Sequence, residues 1–290
     1  MTFGLHIGHM GGPLPEMRRL WKFADDMGFD WFSVSDHFQE SPPQGGDLDC
    51  FEAVTTMTAA VLETKRVRIG SLVYCINYRN PGVLAAALTT VDHLSNGRLE
   101  CGIGAGWHAH EYEAFGIPFE KIGVREDMLE EYAQCLRKLF DPAHKVRLWI
   151  GGGGEKRTLR AVARYADGWN IPYQSPAAFK AKSLILDEWC AKEKRDPATI
   201  ARTVNAGFYI GADERGAARG EALYQSHFGK DPRGGFLRGT AKQALEMVGA
   251  YREAGVERLN IGLRQGPYDW EALHAYAEVV LPAFGAKRPA

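Results

Sequence analysis

Short apolar runs alternate with long amphipathic segments along the chain, and this alternation constrains the fold more than any other feature. The runs with strand character are residues 3–8, 31–38, 67–74, 99–106, 146–153, 167–173, 203–212 and 257–264. Strict alternation of strands with helices is typical of parallel sheets and predicts an α/β fold. Eight such units in 290 residues favour a closed (β/α)8 barrel, the TIM barrel, over a doubly wound open sheet. We therefore expect residues 1–290 to form a single (β/α)8 barrel domain.

Charge and cysteine content argue against several classes of protein. The formal net charge is −1, whereas a nucleic-acid-binding protein would usually carry a basic surplus. The five cysteines are scattered without a CxxC pair, which is typical of reduced thiols in the cytoplasm. No apolar stretch approaches the roughly 18 residues of a membrane span, and no signal peptide is evident. We expect a soluble cytoplasmic protein whose partner is a small-molecule substrate, without nucleic acid or membrane.

Active sites of TIM barrels lie at the carboxyl ends of the strands, so the residues that follow each strand are the candidates. Asp36 and His37 follow the second predicted strand, and Cys75 and Tyr78 follow the third. Histidine titrates near neutral pH and is the commonest acid–base residue of enzymes. His37 is therefore a candidate catalytic residue, with an ordinary surface or core histidine as the alternative.

The stretch GIGAGWH at residues 102–108 comes at the end of the fourth predicted strand. Its G-x-G-x-G spacing differs from the G-x-G-x-x-G of dinucleotide-binding folds, and that motif would follow the first strand. Two compatible interpretations remain. Small residues let the strand end pack tightly in the barrel, and they also leave space for a flat ring across the barrel mouth.

A run of four glycines, GGGGEKRTLR at residues 151–160, joins the fifth strand to the next helix. Backbone N–H groups at a helix N-terminus suit a phosphate, and Lys156 and Arg157 add positive charge beside it. Turn geometry alone rarely needs four glycines, so the sequence favours phosphate binding over a purely structural turn.

A metal site is an alternative that the sequence leaves open. His108, His110 and Glu111 lie close together in the chain, and His37 and Asp36 could join them as ligands. However, the chain has neither an HExxH motif nor a cysteine cluster. A metal-dependent hydrolase on the same barrel is therefore a competing function.

Two long stretches, residues 79–119 and 151–170, resemble the signature regions of the luciferase-like flavin and deazaflavin oxidoreductases. Residues 35–38 and 70–81 match that family in order and spacing, so the resemblance covers nearly the whole chain. Within the family, the chain looks most like the branch that uses coenzyme F420. The resemblance implies a (β/α)8 barrel that binds a flavin or deazaflavin ring at its mouth. It also implies a cis peptide bond, which by position would join Leu72 and Val73.

The resemblance further assigns roles to individual residues. The ring would be contacted by Asp36, Leu72, Val73 and Cys75. The ring site would continue along Ala105, Gly106 and His110. The phosphate would be held by Gly152, Gly153, Gly154, Lys156 and Arg157. His37 matches the catalytic acid of the F420-dependent sugar-phosphate dehydrogenases of this family, with Asp36 either orienting it or contacting the ring. Trp107, Tyr78 and Asn170 would line the substrate pocket.

Two departures from that branch qualify the expectation. Trp107 stands where the sugar-phosphate dehydrogenases carry a glutamate, which makes a sugar phosphate an unfavourable substrate. The segment at residues 140–148 is also much shorter than usual, which affects pocket closure and dimer geometry.

The function implied is F420-dependent oxidoreduction, with a hydride transferred between the deazaflavin and a small organic substrate. An FMN-dependent luciferase-like monooxygenase is the alternative in the same class. A barrel that binds its cofactor without turnover is a third alternative. A separate reductase would supply the reduced cofactor, and a homodimer is a further expectation because barrels of this family are often dimers.

Overall fold

The computed structural model describes residues 1–10, 12–39, 50–140 and 146–286. The strands in these ranges are β1 (Thr2–Met10), β2 (Trp31–Val34), β3 (Arg68–Cys75), β4 (Leu99–Gly104), β5 (Arg147–Gly151), β6 (Gly168–Pro172), β7 (Ala201–Gly211), β8 (Phe236–Thr240) and β9 (Arg258–Gln265). The α-helices are α1 (Leu14–Met27), α2 (Ala53–Glu63), α3 (Pro81–Ser95), α4 (Ala109–Ala114), α5 (Ile122–Leu139), α6 (Thr158–Tyr165), α7 (Pro176–Lys192), α8 (Glu214–Phe228), α9 (Ala241–Glu253) and α10 (Trp270–Ala283). Most of the shortened segment at 140–148, residues 141–145, lies outside the described ranges.

The strands close into a parallel barrel, which confirms the predicted TIM barrel and excludes the doubly wound sheet. Strands β1 to β7 pair in chain order, and β9 closes the ring by pairing with both β7 and β1. Strand β8 is additional to the barrel. It pairs with residues 207–211 of β7, beyond the part of β7 that pairs with β9 at residues 203–207. In the described ranges no helix is long and apolar enough to cross a membrane.

Strict alternation predicts a single helix between the predicted strands at residues 203–212 and 257–264, and the structure corrects this with helix α8, strand β8 and helix α9. Helix α8 contains Gly216 and Gly220, and glycine is a poor helix former. The structure gives a packing reason for Gly220, since a Cβ there would lie 2.2 Å from the Tyr209 carbonyl oxygen on β7. The glycine therefore lets α8 approach the barrel closely. Helix α4 is also new, and its six residues are too short to show a helical period.

The barrel is filled at the amino ends of its strands. There the guanidinium of Arg258 lies between the rings of Trp31 and Trp149, at 4.5 and 4.3 Å from their centroids. It also donates two hydrogen bonds of 3.1 Å to Glu100, and all four side chains are buried. Gly70 and Gly168 make room for the two indoles, because a Cβ at either would lie within 2.4 Å of an indole atom. A ligand site must therefore be sought at the opposite, carboxyl end.

Candidate active site at the barrel mouth

His37 and Glu111 form a buried pair at the carboxyl end of the barrel. His37 follows β2, whereas Glu111 lies on α4, just after β4. The Nδ1 atom of His37 is 2.9 and 3.0 Å from the two carboxylate oxygens. The His37 side chain is 18% exposed and that of Glu111 is 0% exposed. The pair thus places an acid–base group at the mouth, with one ring nitrogen bonded to a buried carboxylate.

Glu111 accepts three further hydrogen bonds. The backbone N–H groups of Phe38 and Gln39 donate to it at 3.1 Å each, and the Tyr78 hydroxyl donates at 2.5 Å. Burial works against ionisation, but the contacts with His37, Tyr78 and Gln39 outweigh it and lower the pKa of Glu111. The carboxylate is therefore ionised at neutral pH.

This lowered pKa predicts how stability depends on Glu111. Stability contributed by a carboxyl group with a depressed folded-state pKa is present above the unfolded value of about 4.3 and is lost as the pH falls through the folded value. Glu111→Gln should therefore lower the free energy of unfolding by about 1–3 kcal/mol at neutral pH and by less under acidic conditions. Urea unfolding of both proteins at neutral and acidic pH measures this difference. A difference in the free energy of unfolding that is the same at neutral and acidic pH would contradict the prediction.

Asp36 does not contact His37, in contrast to the expectation that it orients the histidine. Its carboxylate accepts from Arg79 at 2.6 and 2.8 Å and from the backbone N–H of Cys75 at 3.0 Å. Arg79 also binds Glu52. The side chains of neighbouring residues in extended chain diverge, which sends Asp36 toward β3 and His37 toward α4. The alternative role for Asp36, contact with a cofactor ring, stays a prediction.

Cys75 lies at the end of β3 in a chain of polar contacts. Its Sγ atom is 2.9 Å from the Tyr112 hydroxyl, which in turn donates to Asn77 Oδ1 at 3.1 Å. Burial raises the pKa of Cys75 to about 11. Because the thiolate is the reactive form, this cysteine is not an activated nucleophile.

The raised pKa and burial of Cys75 predict slow alkylation. In the folded protein at neutral pH, iodoacetamide should modify Cys75 far more slowly than the half-buried Cys135 on α5. Peptide mass spectrometry over a time course measures both sites, and the same reaction in urea provides the control. Equal rates in the folded protein would show that the Cys75 thiol is accessible and ionised.

The mouth between β4 and β5 carries few side chains. A Cβ at Gly104 or Gly151 would lie 2.4 or 2.7 Å from the Val73 side chain, so only glycine fits beside Val73. The peptide bond between Leu72 and Val73 is cis, as the family resemblance implied. Ala105 and Gly106 follow and are partly exposed. The carboxyl ends of β4 and β5 therefore present a surface made largely of backbone atoms above the buried interior of the barrel.

The tetraglycine turn lies beside this surface. Gly152 has a φ of +124°, and α6 begins with the Leu159 N–H bonded to the Gly154 carbonyl at 2.9 Å. Lys156 is exposed. Arg157 donates to the Gly123 carbonyl at 2.6 Å and to Asp127 at 2.7 Å. Whether Gly152, Gly153, Gly154, Lys156 and Arg157 hold a phosphate stays a prediction, and the Arg157 guanidinium already has a carboxylate partner.

The residues expected to line the substrate pocket lie in three different settings. Trp107 is at the rim, 58% exposed, with its ring edge-on to His37 at a centroid distance of 5.7 Å. Tyr78 binds Glu111. Asn170 is only 3% exposed, and its amide donates to Thr203 at 2.9 Å and to Asn205 at 3.1 Å inside the barrel. Of these three residues, Trp107 lies at the rim, whereas Tyr78 and Asn170 form hydrogen bonds with other protein side chains.

Glu111 was foreseen from the sequence only as a metal ligand. Its bonds to His37, Tyr78 and the backbone account for both carboxylate oxygens. His110 is exposed on α4. Across the part of the chain that the structure describes, no three His, Cys, Asp or Glu side chains form a group that could hold a metal ion. Arg79 and Tyr112 were also missed, and the only signal was that both lie in the stretch at residues 79–119 on which the resemblance rests.

Solved structures share this architecture. An F420-dependent secondary alcohol dehydrogenase in complex with an F420–acetone adduct superposes with a TM-score of 0.82 at 21% identity, covering 97% of this chain and 98% of its own. A riboflavin lyase with modified FMN and riboflavin superposes with a TM-score of 0.78 at 14% identity, covering 100% and 94%. At these identities the likeness concerns the fold.

Sequence comparison defines the class. An F420-dependent glucose-6-phosphate dehydrogenase from Intrasporangium calvum is 30% identical over 211 residues, which cover 62% of this chain and 61% of the relative. The model of the luciferase-like monooxygenase family matches residues 1–274. The chain belongs to the luciferase-like monooxygenase family, and it is an oxidoreductase.

Proposed function

We propose that this protein is an F420-dependent oxidoreductase that transfers a hydride between the deazaflavin and a small organic substrate. The observation that carries the proposal is the His37–Glu111 pair at the barrel mouth, since interconversion of an alcohol and a carbonyl moves a proton together with the hydride. Support also comes from the F420-dependent relative and from the fold shared with the dehydrogenase bound to an F420–acetone adduct. When bound, F420 supplies a hydride acceptor or donor.

We infer that a flat ring system would lie against the barrel mouth. Glycines at 104 and 151 are required by contact with Val73, and the backbone at Ala105 and Gly106 is partly exposed. The Arg125 guanidinium supports this backbone by donating to the Ala105 carbonyl at 3.1 Å and to the Gly106 carbonyl. We infer that Val73, Ala105 and Gly106 would contact the ring.

The phosphate group would lie at the tetraglycine turn. There the start of α6 offers backbone N–H groups and a partial positive charge. Lys156 is exposed beside this turn and carries no acidic partner among the described contacts. We infer that residues 152–154 and Lys156 would hold the phosphate.

The protein would then supply proton transfer and substrate selection. His37 would accept the hydroxyl proton of an alcohol, or donate a proton to a carbonyl oxygen, from its second ring nitrogen. Trp107 would give the substrate an apolar wall next to His37. The nearby guanidiniums of Arg79 and Arg125 are already bonded to protein groups, so a neutral substrate is favoured over a sugar phosphate.

FMN is the second candidate cofactor, and the fold shared with a riboflavin lyase containing modified FMN supports it. Titration of the purified protein with F420 and with FMN, followed by the quenching of cofactor fluorescence, separates the two. We expect F420 to saturate the protein at lower concentrations than FMN. Lys156→Ala should weaken F420 binding by about tenfold if one charged contact to the phosphate is lost. Tight binding of FMN without a response to F420 would overturn the proposal.

A further inference from the structure

We propose that Glu111 is a positioning residue, which fixes the His37 ring in the tautomer that carries its proton on Nδ1 and presents Nε2 to the substrate. The geometry of the pair is independent of the cofactor. The catalytic consequence rests on the proposed function.

The hydrogen-bonding chemistry of the pair sets the tautomer. An ionised carboxylate can only accept hydrogen bonds, so the ring nitrogen that faces it must donate. That nitrogen is Nδ1 of His37, at 2.9 and 3.0 Å from the carboxylate oxygens of Glu111. In the neutral ring, Nε2 then has the lone pair. It can accept a proton from a substrate hydroxyl, and the resulting imidazolium can return one.

Glu111 also fixes the position of the ring through the backbone. The N–H groups of Phe38 and Gln39 donate to the same carboxylate oxygen at 3.1 Å each. Three consecutive residues after β2 are therefore bonded to one buried side chain. Trp107 packs edge-on against the ring at an interplanar angle of 83°. The ring is thus held by a carboxylate at Nδ1 and by an indole on its flank.

The carboxylate has no competing cation among the described contacts. The Arg79 guanidinium binds Asp36 and Glu52 instead. A further side-chain donor is the Tyr78 phenol, at 2.5 Å. Burial raises the pKa of Tyr78, so the phenol stays protonated and keeps donating. The negative charge of Glu111 is therefore available to an imidazolium on His37 while the proton is held there.

In the direction of alcohol oxidation the proton balance is simple. The carbinol C–H bond gives up its hydrogen with both electrons as a hydride, which the deazaflavin of the proposed function would accept. The hydroxyl O–H bond breaks, and its proton moves to Nε2 of His37. The C–O single bond becomes the carbonyl double bond. Glu111 exchanges no proton in this step, since it keeps its hydrogen bond to Nδ1 throughout.

The test compares Glu111→Gln with Glu113→Gln. Glu113 is an exposed carboxylate two residues further along α4, and its replacement removes the same charge without touching His37. Both variants and the wild type are labelled with ¹⁵N-histidine, and the His37 signals are assigned by their loss in His37→Asn. We expect one Nδ1–H tautomer in the wild type and in Glu113→Gln, and a tautomer mixture in Glu111→Gln.

Kinetics and binding complete the test. In Glu111→Gln, kcat should fall by about 10- to 1,000-fold, while KM and the Kd for F420 change by less than about threefold. Glu111→Asp keeps the charge and should restore the tautomer in part. A wild-type ring protonated on Nε2, or an unchanged tautomer and kcat in Glu111→Gln, would overturn the proposal. The wild-type spectrum decides alone if the variants do not fold. Failure of the wild type to bind F420 would instead refute the proposed function.

Discussion

Replacing His37 by asparagine is expected to lower kcat by about 100- to 10,000-fold, the range typical for loss of a general acid–base group. Asparagine can still donate an N–H to Glu111, so the carboxylate keeps a partner, but the side chain cannot take up a proton. The Kd for F420 should therefore change little. Turnover of small alcohols and ketones, with the F420 absorbance as the signal, measures kcat, and fluorescence titration measures the Kd.

The matched control for His37 is His274→Asn. His274 is exposed on α10, where its ring packs against Phe23. Its replacement should leave both kcat and the Kd for F420 as in the wild type. Turnover by His37→Asn within about twofold of the wild type would show that another group moves the proton.

Replacing Gly106 by alanine is expected to have a large effect on the surface at Val73, Ala105 and Gly106, which we propose contacts the cofactor ring. A Cβ at this position would lie 1.9 Å from the Tyr112 hydroxyl and 2.9 Å from Cys75 Sγ, and the φ of +73° disfavours any L side chain. The contact between Cys75 and Tyr112 would have to break. We expect the free energy of unfolding to fall by about 2–4 kcal/mol from steric and backbone strain together. F420 binding should weaken as the backbone at 105–106 moves.

Gly116→Ala separates the steric clash from the backbone strain. Gly116 also has a positive φ, +64°, but a Cβ added there would have no atom within 4 Å. Only the backbone cost, about 1 kcal/mol, should remain in this variant. Combining Gly106→Ala with Tyr112→Phe removes the clashing hydroxyl and should recover part of the loss. Equal urea midpoints for Gly106→Ala and Gly116→Ala would contradict the packing argument.

The barrel could be predicted from the sequence because its strands are buried and its helices are amphipathic, so each unit leaves a local hydrophobic pattern. Helix α8 and strand β8 leave no such signal. Gly216 and Gly220 depress helix propensity, and the reason for Gly220, close contact with the Tyr209 carbonyl, is a tertiary one. Strand β8 has five residues and, among the strands that the structure describes, pairs with the end of β7 alone.

The candidate site was predictable in its location but not in its pairings. Position at a strand end identified His37, because parallel strands of a barrel all point to one mouth. Its carboxylate partner was expected next to it in the chain, at Asp36. The structure brings in Glu111 instead, which is 74 residues away on a helix of six residues. Asn170 is a second example. Its strand was predicted from the sequence, but the hydrogen bond of its side-chain amide to Thr203 inside the barrel was not.

Hydride transfer, with its proton carried by His37, is the reaction that we propose for this site. Its most direct test mixes the protein, without oxygen, with F420 reduced and deuterated at C5, and with a panel of small neutral ketones and aldehydes. Mass spectrometry of the products then locates the label. We predict that deuterium appears on the former carbonyl carbon in the wild type and is nearly absent with His37→Asn. Products without deuterium, together with insertion of oxygen from O₂ when the protein is loaded with reduced FMN, would contradict the account.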